Sequence, residues 1–355
     1  KINKRSREGT TMRRLLQDTR SYALLKTERA ENRLGHAYLL VFDDARNLRT
    51  ALREFAKLFF LPAAAETEGI APATNQTTDA AYDRICALID EENFADCIFL
   101  PEKGKKFSVE DAERIREESA LKPVESDSRL FVVSDFGDAT VQAQNKLLKL
   151  LEEPPAGVRF LLGTTVTFPV LPTVLSRTEK LEIPPFSSAE VAACLARMYP
   201  DCANPALYAE ASGGSVGSAQ NILEGGYYGR LLADAFSLME TDLFRLPQTV
   251  RRVGETPYKK ELLAILRLIF RDALILKTAR INGVERSSRR GNRAEKYLLL
   301  RSDKEKLYAV AGNYTVRALV WAQEALSEAE KEIRFNAAFP QCLEVCLSGI
   351  LEKNF

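Results

Sequence analysis

Residues 129–178 read RLFVVSDFGDATVQAQNKLLKLLEEPPAGVRFLLGTTVTFPVLPTVLSRT. Arg129 to Ser134 is a short apolar run rich in Val and Phe, which predicts a buried strand. Thr140, a good N-cap residue, opens a stretch in which Leu147, Leu148 and Leu151 recur at helical spacing, so a helix is expected from about Thr140 to Glu153. Pro154 and Pro155 end it, because neither has an N–H to add to the helical ladder. Val158 to Gly163 is a second apolar strand, and Leu171 to Leu175 a short helical turn running into Ser176 and Arg177. Strand, helix and strand in this order predict a parallel pair joined by a right-handed crossover.

The chain around this unit has 355 residues, enough for two or three domains. With 46% hydrophobic and 28% charged residues, its composition is that of an ordinary globular protein. The net charge of +1 excludes a polycation that binds nucleic acid with its whole surface, so any DNA contact is local or shared with partners. No apolar run approaches the roughly 20 residues of a membrane span, and the first residues do not resemble a signal peptide. The expectation is a cytoplasmic protein with no membrane partner. The six cysteines form no C-x-x-C pair. Cys342 and Cys346, one helical turn apart, read as small core residues rather than metal ligands.

Upstream, a polar start (Lys1 to Thr11) leads into a helical pattern from Met12 to Leu34. His36 to Phe42 reads as a buried strand, with His36 a hydrogen-bonded structural residue, and Leu48 to Phe60 as an amphipathic helix. Leu61 to Asp79 reads as a surface loop, Ala80 to Ile89 as a short helix and Asp96 to Leu100 as a strand. Ser108 caps a helix from Val109 to Leu121. Downstream, Pro184 and Pro185 mark a boundary. Ser187 and Glu190 make a capping box, Asn204 and Pro205 open a second short helix that Gly213 stops, and Ser215 to Leu223 forms a third, ended by Gly225 and Gly226. Four longer helical patterns follow, at about 227–244, 257–280, 303–326 and 328–352. Between two of them, Thr278 to Lys296 carries Arg280, Arg286, Arg289, Arg290 and Arg293 and reads as an exposed basic loop.

TVQAQNKLLKLLEEPP, followed by Thr164-Thr165, LPTVLS and Arg177, resembles the ATPase-like core of bacterial DNA polymerase III clamp-loader subunits. The likeness extends upstream through His36-Ala37-Tyr38-Leu39 and through Pro101 to Lys106. The resemblance implies an α/β parallel-sheet, P-loop-like (AAA+) domain over 1–183, a small three-helix lid domain over 184–225 and an all-α collar domain over 226–355. Many ATPase members carry a four-cysteine zinc module after the first helix of the core; the matching segment, about Leu58 to Tyr82, has no cysteine, so neither zinc nor another cofactor is expected.

The same resemblance points to a member that does not hydrolyse ATP. Where the family has G-x-x-x-x-G-K-S/T, this chain has Phe42 for the first Gly, Asn47 for the second, Leu48 for the Lys and Arg49 for the hydroxyl residue. Two aspartates, Asp43 and Asp44, stand where phosphate oxygens would lie, and like charges repel. The Asp-Glu pair that serves Mg²⁺ is Ser134 and Asp135, the nucleotide-sensing Asn is Val166, and the lid arginine is Ser218. One group matches. Ser176-Arg177 fits the family's Ser-Arg-Cys motif, whose arginine acts on ATP bound to the next subunit; Thr178 departs from the cysteine. A guanidinium suits that task because it is planar, always charged and bridges phosphate oxygens. The competing reading of Arg177 is a helix-end residue that bonds carbonyls. Lys103, Lys105 and Lys106 read either as a solvated loop or as a phosphate-backbone contact to DNA. The partners implied are the clamp-loader ATPase (gamma/tau) subunits, the clamp-opening delta subunit and, through the assembled complex, the sliding clamp and primer-template DNA. A free-standing scaffold of the same fold and a weak ATPase motor are the alternatives, separated by co-purification with the ATPase subunits and by nucleotide binding.

Overall fold

The computed structural model describes residues 11–62, 75–281, 294–334 and 337–354. The expectations for the polar start, for most of the 61–79 loop, for Arg286, Arg289, Arg290 and Arg293, and for the side chain of Arg280 lie outside the described residues. The chain forms two compact units, Lys1–Pro185 and Phe186–Phe355.

The first unit is built on five parallel strands, β1 (Ala37–Phe42), β2 (Cys97–Leu100), β3 (Arg129–Val133), β4 (Val158–Thr164) and β5 (Glu179–Ile183), in the order β2-β3-β4-β1-β5. Around them lie α1 (residues 11–17), α2 (Arg20–Ala30), α3 (Leu48–Phe59), α4 (Asn75–Glu91), α5 (Val109–Glu118), α6 (Val141–Glu152) and α7 (Pro172–Leu175). Every residue of β3 is buried, as a parallel strand covered on both faces requires. On one face Leu39, Phe131, Val133, Phe160 and Leu162 pack against Leu147 and Leu151 of α6 and Val174 of α7. On the other, Tyr38 meets Phe59 of α3 edge-on at 5.7 Å. Gly163 lets α3 come close: a Cβ there would lie 2.7 Å from a methyl of Leu52. This is the α/β parallel-sheet core that the strand–helix–strand reading predicts.

Helix boundaries differ from the sequence expectation in both units: α2 ends at Ala30, the helix Tyr228–Met239 stops short of 244, and one helix, Val316–Arg334, runs across the expected break at 326–328. The 12–34 pattern is broken at Asp18-Thr19, because Thr19 turns extended (ψ 148) and caps α2 by accepting from the Tyr22 N–H. The helix α4 begins at Asn75 rather than Ala80, and α5 ends at Glu118 rather than Leu121.

The second unit is helical throughout its described residues: α8 (Ser188–Met198), α9 (Pro205–Ala211), α10 (Val216–Gly225), α11 (Tyr228–Met239), α12 (Leu246–Val253), α13 (Lys259–Ile281), α14 (Lys304–Asn313), α15 (Val316–Arg334) and α16 (Phe339–Glu352). The Ser187–Glu190 capping box forms, and Gly213 and Gly226 take the left-handed conformation (φ +62 and +66) that ends α9 and α10. The short helices bury Val191, Leu195, Met198, Val216 and Ala219, and part of their apolar surface also faces the longer helices. Ala211 and Ile222 join the same buried cluster as Leu231, Leu266, Leu319 and Leu343 of the longer helices. The helix α12 lies in a stretch that reads as polar; Leu246, Val250 and Val253 give it a single buried stripe. The 303–326 pattern breaks at Tyr314-Thr315, where Tyr314 is buried, stacks edge-on to Phe270 and donates its hydroxyl to the Met239 carbonyl. Cys342 and Cys346 are buried on α16. Among the described residues, no helix is long and apolar enough to cross a membrane, and no group of three or more His, Cys, Asp or Glu side chains is placed to hold a metal ion.

Candidate functional site

The β1–α3 turn is where the sequence resemblance expects a phosphate site. Asp44 is buried there, and its carboxylate accepts from the backbone N–H of Asn47 at 3.1 Å and from the Asn47 side-chain amide at 3.0 Å. A helix N-terminus offers N–H groups to an anion; in this turn an internal carboxylate takes one of them. Leu48 is buried at the start of α3 and supplies apolar packing where a phosphate-binding lysine would stand.

Arg49 follows and spans the site. Its Nε and Nη2 donate to the two carboxylate oxygens of Glu92, at 2.9 and 2.6 Å, a bidentate pair. Its Nη1 donates to the Pro101 carbonyl at 3.0 Å and to Ser134 Oγ at 3.2 Å. The guanidinium also lies over the Phe99 ring. One side chain thus ties α3 to the end of α4 and to the ends of β2 and β3. Burial alone would push the Glu92 carboxyl up, but the hydrogen bonds and charge of Arg49, with Lys103 beyond, hold it below the ordinary glutamate range.

The other positions singled out by the sequence resemblance have these surroundings. Ser134 is buried and accepts from Arg49. Asp135 sits in the left-handed region (φ 52), and desolvation raises its carboxyl above the usual range in spite of a hydrogen bond from Ser134. Val166 presents an aliphatic side chain; its carbonyl accepts from Thr164 Oγ1 at 2.7 Å. In the second unit, the Ser218 N–H is held by the N-cap hydroxyl of Ser215.

Arg177 lies two residues beyond α7. Its Nη1 donates to the Thr173 carbonyl at 2.8 Å and to Ser176 Oγ at 3.1 Å, and its Nη2 meets Glu152 Oε1 at 2.6 Å. The side chain is 33% exposed. The residue bonds a helix-end carbonyl and keeps a solvent-facing side. The three lysines of the 101–106 segment are exposed, and each has an acidic neighbour: Lys103 with Glu92 at 3.7 Å, Lys105 with Glu102 at 2.7 Å and Lys106 with Asp138 at 3.9 Å.

Sequence reasoning missed Gln144. It is fully buried on α6; its amide donates to the Ala139 and Pro169 carbonyls at 3.2 and 3.0 Å and accepts from the Leu171 N–H at 2.9 Å. These bonds fasten α6 to the segment that carries α7 and Arg177. Its signal was a polar residue on the buried stripe, beside Ala143 and three residues before Leu147.

Comparison with known proteins places this geometry in context. Residues 17–187 match a family model described as DNA polymerase III, delta subunit. The chain is 29% identical over 170 residues to DNA polymerase III subunit tau/gamma of Haemophilus influenzae, covering 47% of this chain and 23% of that protein. It is 28% identical over 162 residues to DNA polymerase III subunit delta' of Bacillus subtilis, 46% of each chain. The matches thus span less than half the length of these relatives. Among solved structures, a gamma-subunit-related protein of Thermotoga maritima aligns over 98% of this chain and all of its own, with 15% identity and a TM-score of 0.33. The Bacillus subtilis clamp-loader delta protein aligns over 92% of this chain and 98% of its own, with 13% identity and a TM-score of 0.28.

Proposed function

The chain belongs to the clamp-loader family of DNA polymerase III, and we propose that within it this is the delta-prime subunit, a non-hydrolysing stator that lends Arg177 to a neighbour's ATP. The division into AAA+-like core (1–183), lid (184–225) and collar (226–355) belongs to this reading, as do its partners: the gamma/tau ATPase subunits, the delta subunit, the sliding clamp and primer-template DNA, in the cytoplasm. The observation that carries it is Arg49. A guanidinium bonded at once to Glu92, Pro101 and Ser134 occupies the ground between the α3 N-terminus and the end of β3 that Mg²⁺ and phosphate use in an active member. Asp44 opposes a triphosphate from the other side of the turn. With Leu48, Val166 and Ser218 also in place, no phosphate-binding side chain of the family pattern remains at this chain's own site.

Arg177 differs from these residues in keeping both its charge and its exposure. An arginine supplied in trans to a phosphoryl-transfer site is worth on the order of 10³–10⁵ in rate at that site. The test is a complex reconstituted with the ATPase, delta and clamp components. The isolated chain should show no magnesium-dependent ATP binding by calorimetry in the micromolar range. In the complex, Arg177→Ala should leave assembly intact and slow single-turnover hydrolysis by that order at its one interface, with a smaller drop in bulk turnover. Arg177→Lys should recover little, since a point charge lacks the planar fork. Wild-type rates in an intact Arg177→Ala complex would leave Arg177 as a helix-end residue.

A further inference from the structure

We infer that Glu152 is a positioning residue that parks Arg177, so that the guanidinium reaches a neighbouring phosphate only by giving up an ion pair within its own chain. The inference rests on the reading of Arg177 as a finger acting in trans, and it concerns how that finger is held back.

Glu152 is the last residue of α6, and Arg177 follows α7. The two side chains do not meet by chance on a mobile surface. Leu147 and Leu151 of α6 share a core with Val174 of α7, and Gln144 bonds α6 to the backbone of Pro169 and Leu171. The Glu152 carboxylate is thereby held where Arg177 Nη2 meets it at 2.6 Å, while Nη1 is engaged by Thr173 and Ser176.

This pair is built to be opened. Both partners face solvent, Glu152 at 47% and Arg177 at 33% exposure, so separating them leaves neither charge buried. Exposed ion pairs are weak and reversible. A triphosphate, with several charged oxygens in the geometry of the guanidinium fork, outcompetes one carboxylate for Arg177. Until such a phosphate is seated, the carboxylate neutralises the guanidinium and repels an anion arriving poorly aligned. Two states follow, one parked on Glu152 and one released to a phosphate, and the subunit interface chooses between them. A pair of this strength shifts the balance by about two- to five-fold in rate.

The experiment is single-turnover ATP hydrolysis by the full reconstituted complex, without clamp or DNA, carrying wild-type chain, Glu152→Gln, Arg177→Ala or the double variant. Glutamine keeps the size of the side chain and removes its charge. The expected result is a rise of about two- to five-fold for Glu152→Gln, with the double variant as slow as Arg177→Ala alone. A purely structural effect of position 152 would persist without Arg177. The inference is overturned if Glu152→Gln equals or falls below wild type while Arg177→Ala is slow, or if its effect survives in the Arg177→Ala background. An unchanged rate in Arg177→Ala itself would instead overturn the finger reading on which this one stands.

Discussion

Arg49 makes the β1–α3 turn part of an internal ion pair. It is a structural cation, with Glu92 as its bidentate partner and side-chain exposures of 19% and 11%. Breaking a largely buried pair by removing one partner strands the other charge, at a cost of about 3 kcal/mol. Arg49→Ala should therefore lower the urea midpoint at neutral pH without changing the slope. The pH dependence has a definite sign. The folded protein holds the Glu92 carboxyl below its ordinary value, so the pair stabilises the fold above about 4.5, the ordinary glutamate value, and that stabilisation is lost as pH falls through the folded value. The gap between wild type and Arg49→Ala should therefore narrow under acid. Equal gaps in urea titrations at about pH 7 and about pH 3 would show that the ion pair is not the source of the loss.

At the scale of elements, α6 is the part on which the proposed finger depends. Its inner face is apolar except at Gln144, whose amide satisfies three backbone groups across two segments. Gln144→Ala leaves the Leu171 N–H and two carbonyls with lost partners, and each buried group left unpaired costs about 1–3 kcal/mol. The variant should be destabilised by at least that much, and amide exchange should quicken at Leu171 and through α7 while α6 itself stays protected. Unchanged exchange at Leu171 would mean that the apolar contact of Val174 alone fixes this segment. The α5 cap and the short caps of the second unit were readable from single residues, because Ser108, Ser187, Asn204 and Ser215 each satisfy a local N–H three residues on. Gln144 was not, because its partners lie on other segments.

At the scale of the whole molecule, apolar contacts of the second unit cross the sequence punctuation at Gly225-Gly226. Leu207, Tyr208, Ala211 and Ile222 pack with the longer helices, and Tyr227 stacks on Tyr258 with ring centroids 3.8 Å apart. A fragment of residues 186–355 should unfold in one cooperative transition. A fragment of residues 227–355 should unfold at lower denaturant, since losing the first three helices exposes that apolar surface. Two separate transitions in the longer fragment, with the later one matching the shorter fragment, would show that the helices before Gly226 fold on their own.

The sequence by itself determined β1 to β4, the crossover unit and the helix caps, while β5 was not read from it. The features it did determine are local: a period of two or of 3.6, a residue that caps, a proline that stops. It also brought out Arg177, because its motif is a run of neighbouring residues. Only the tertiary structure decided what Arg49 bonds to, that Glu152 faces Arg177, that Gln144 joins α6 to the 169–171 segment, and that α12 exists as a buried stripe within a polar stretch. Each of these pairs residues far apart in the chain or weighs one face of a short segment against a core built elsewhere. Periodicity and capping report on the near neighbourhood of a residue, whereas these contacts are set by how the strands and helices pack.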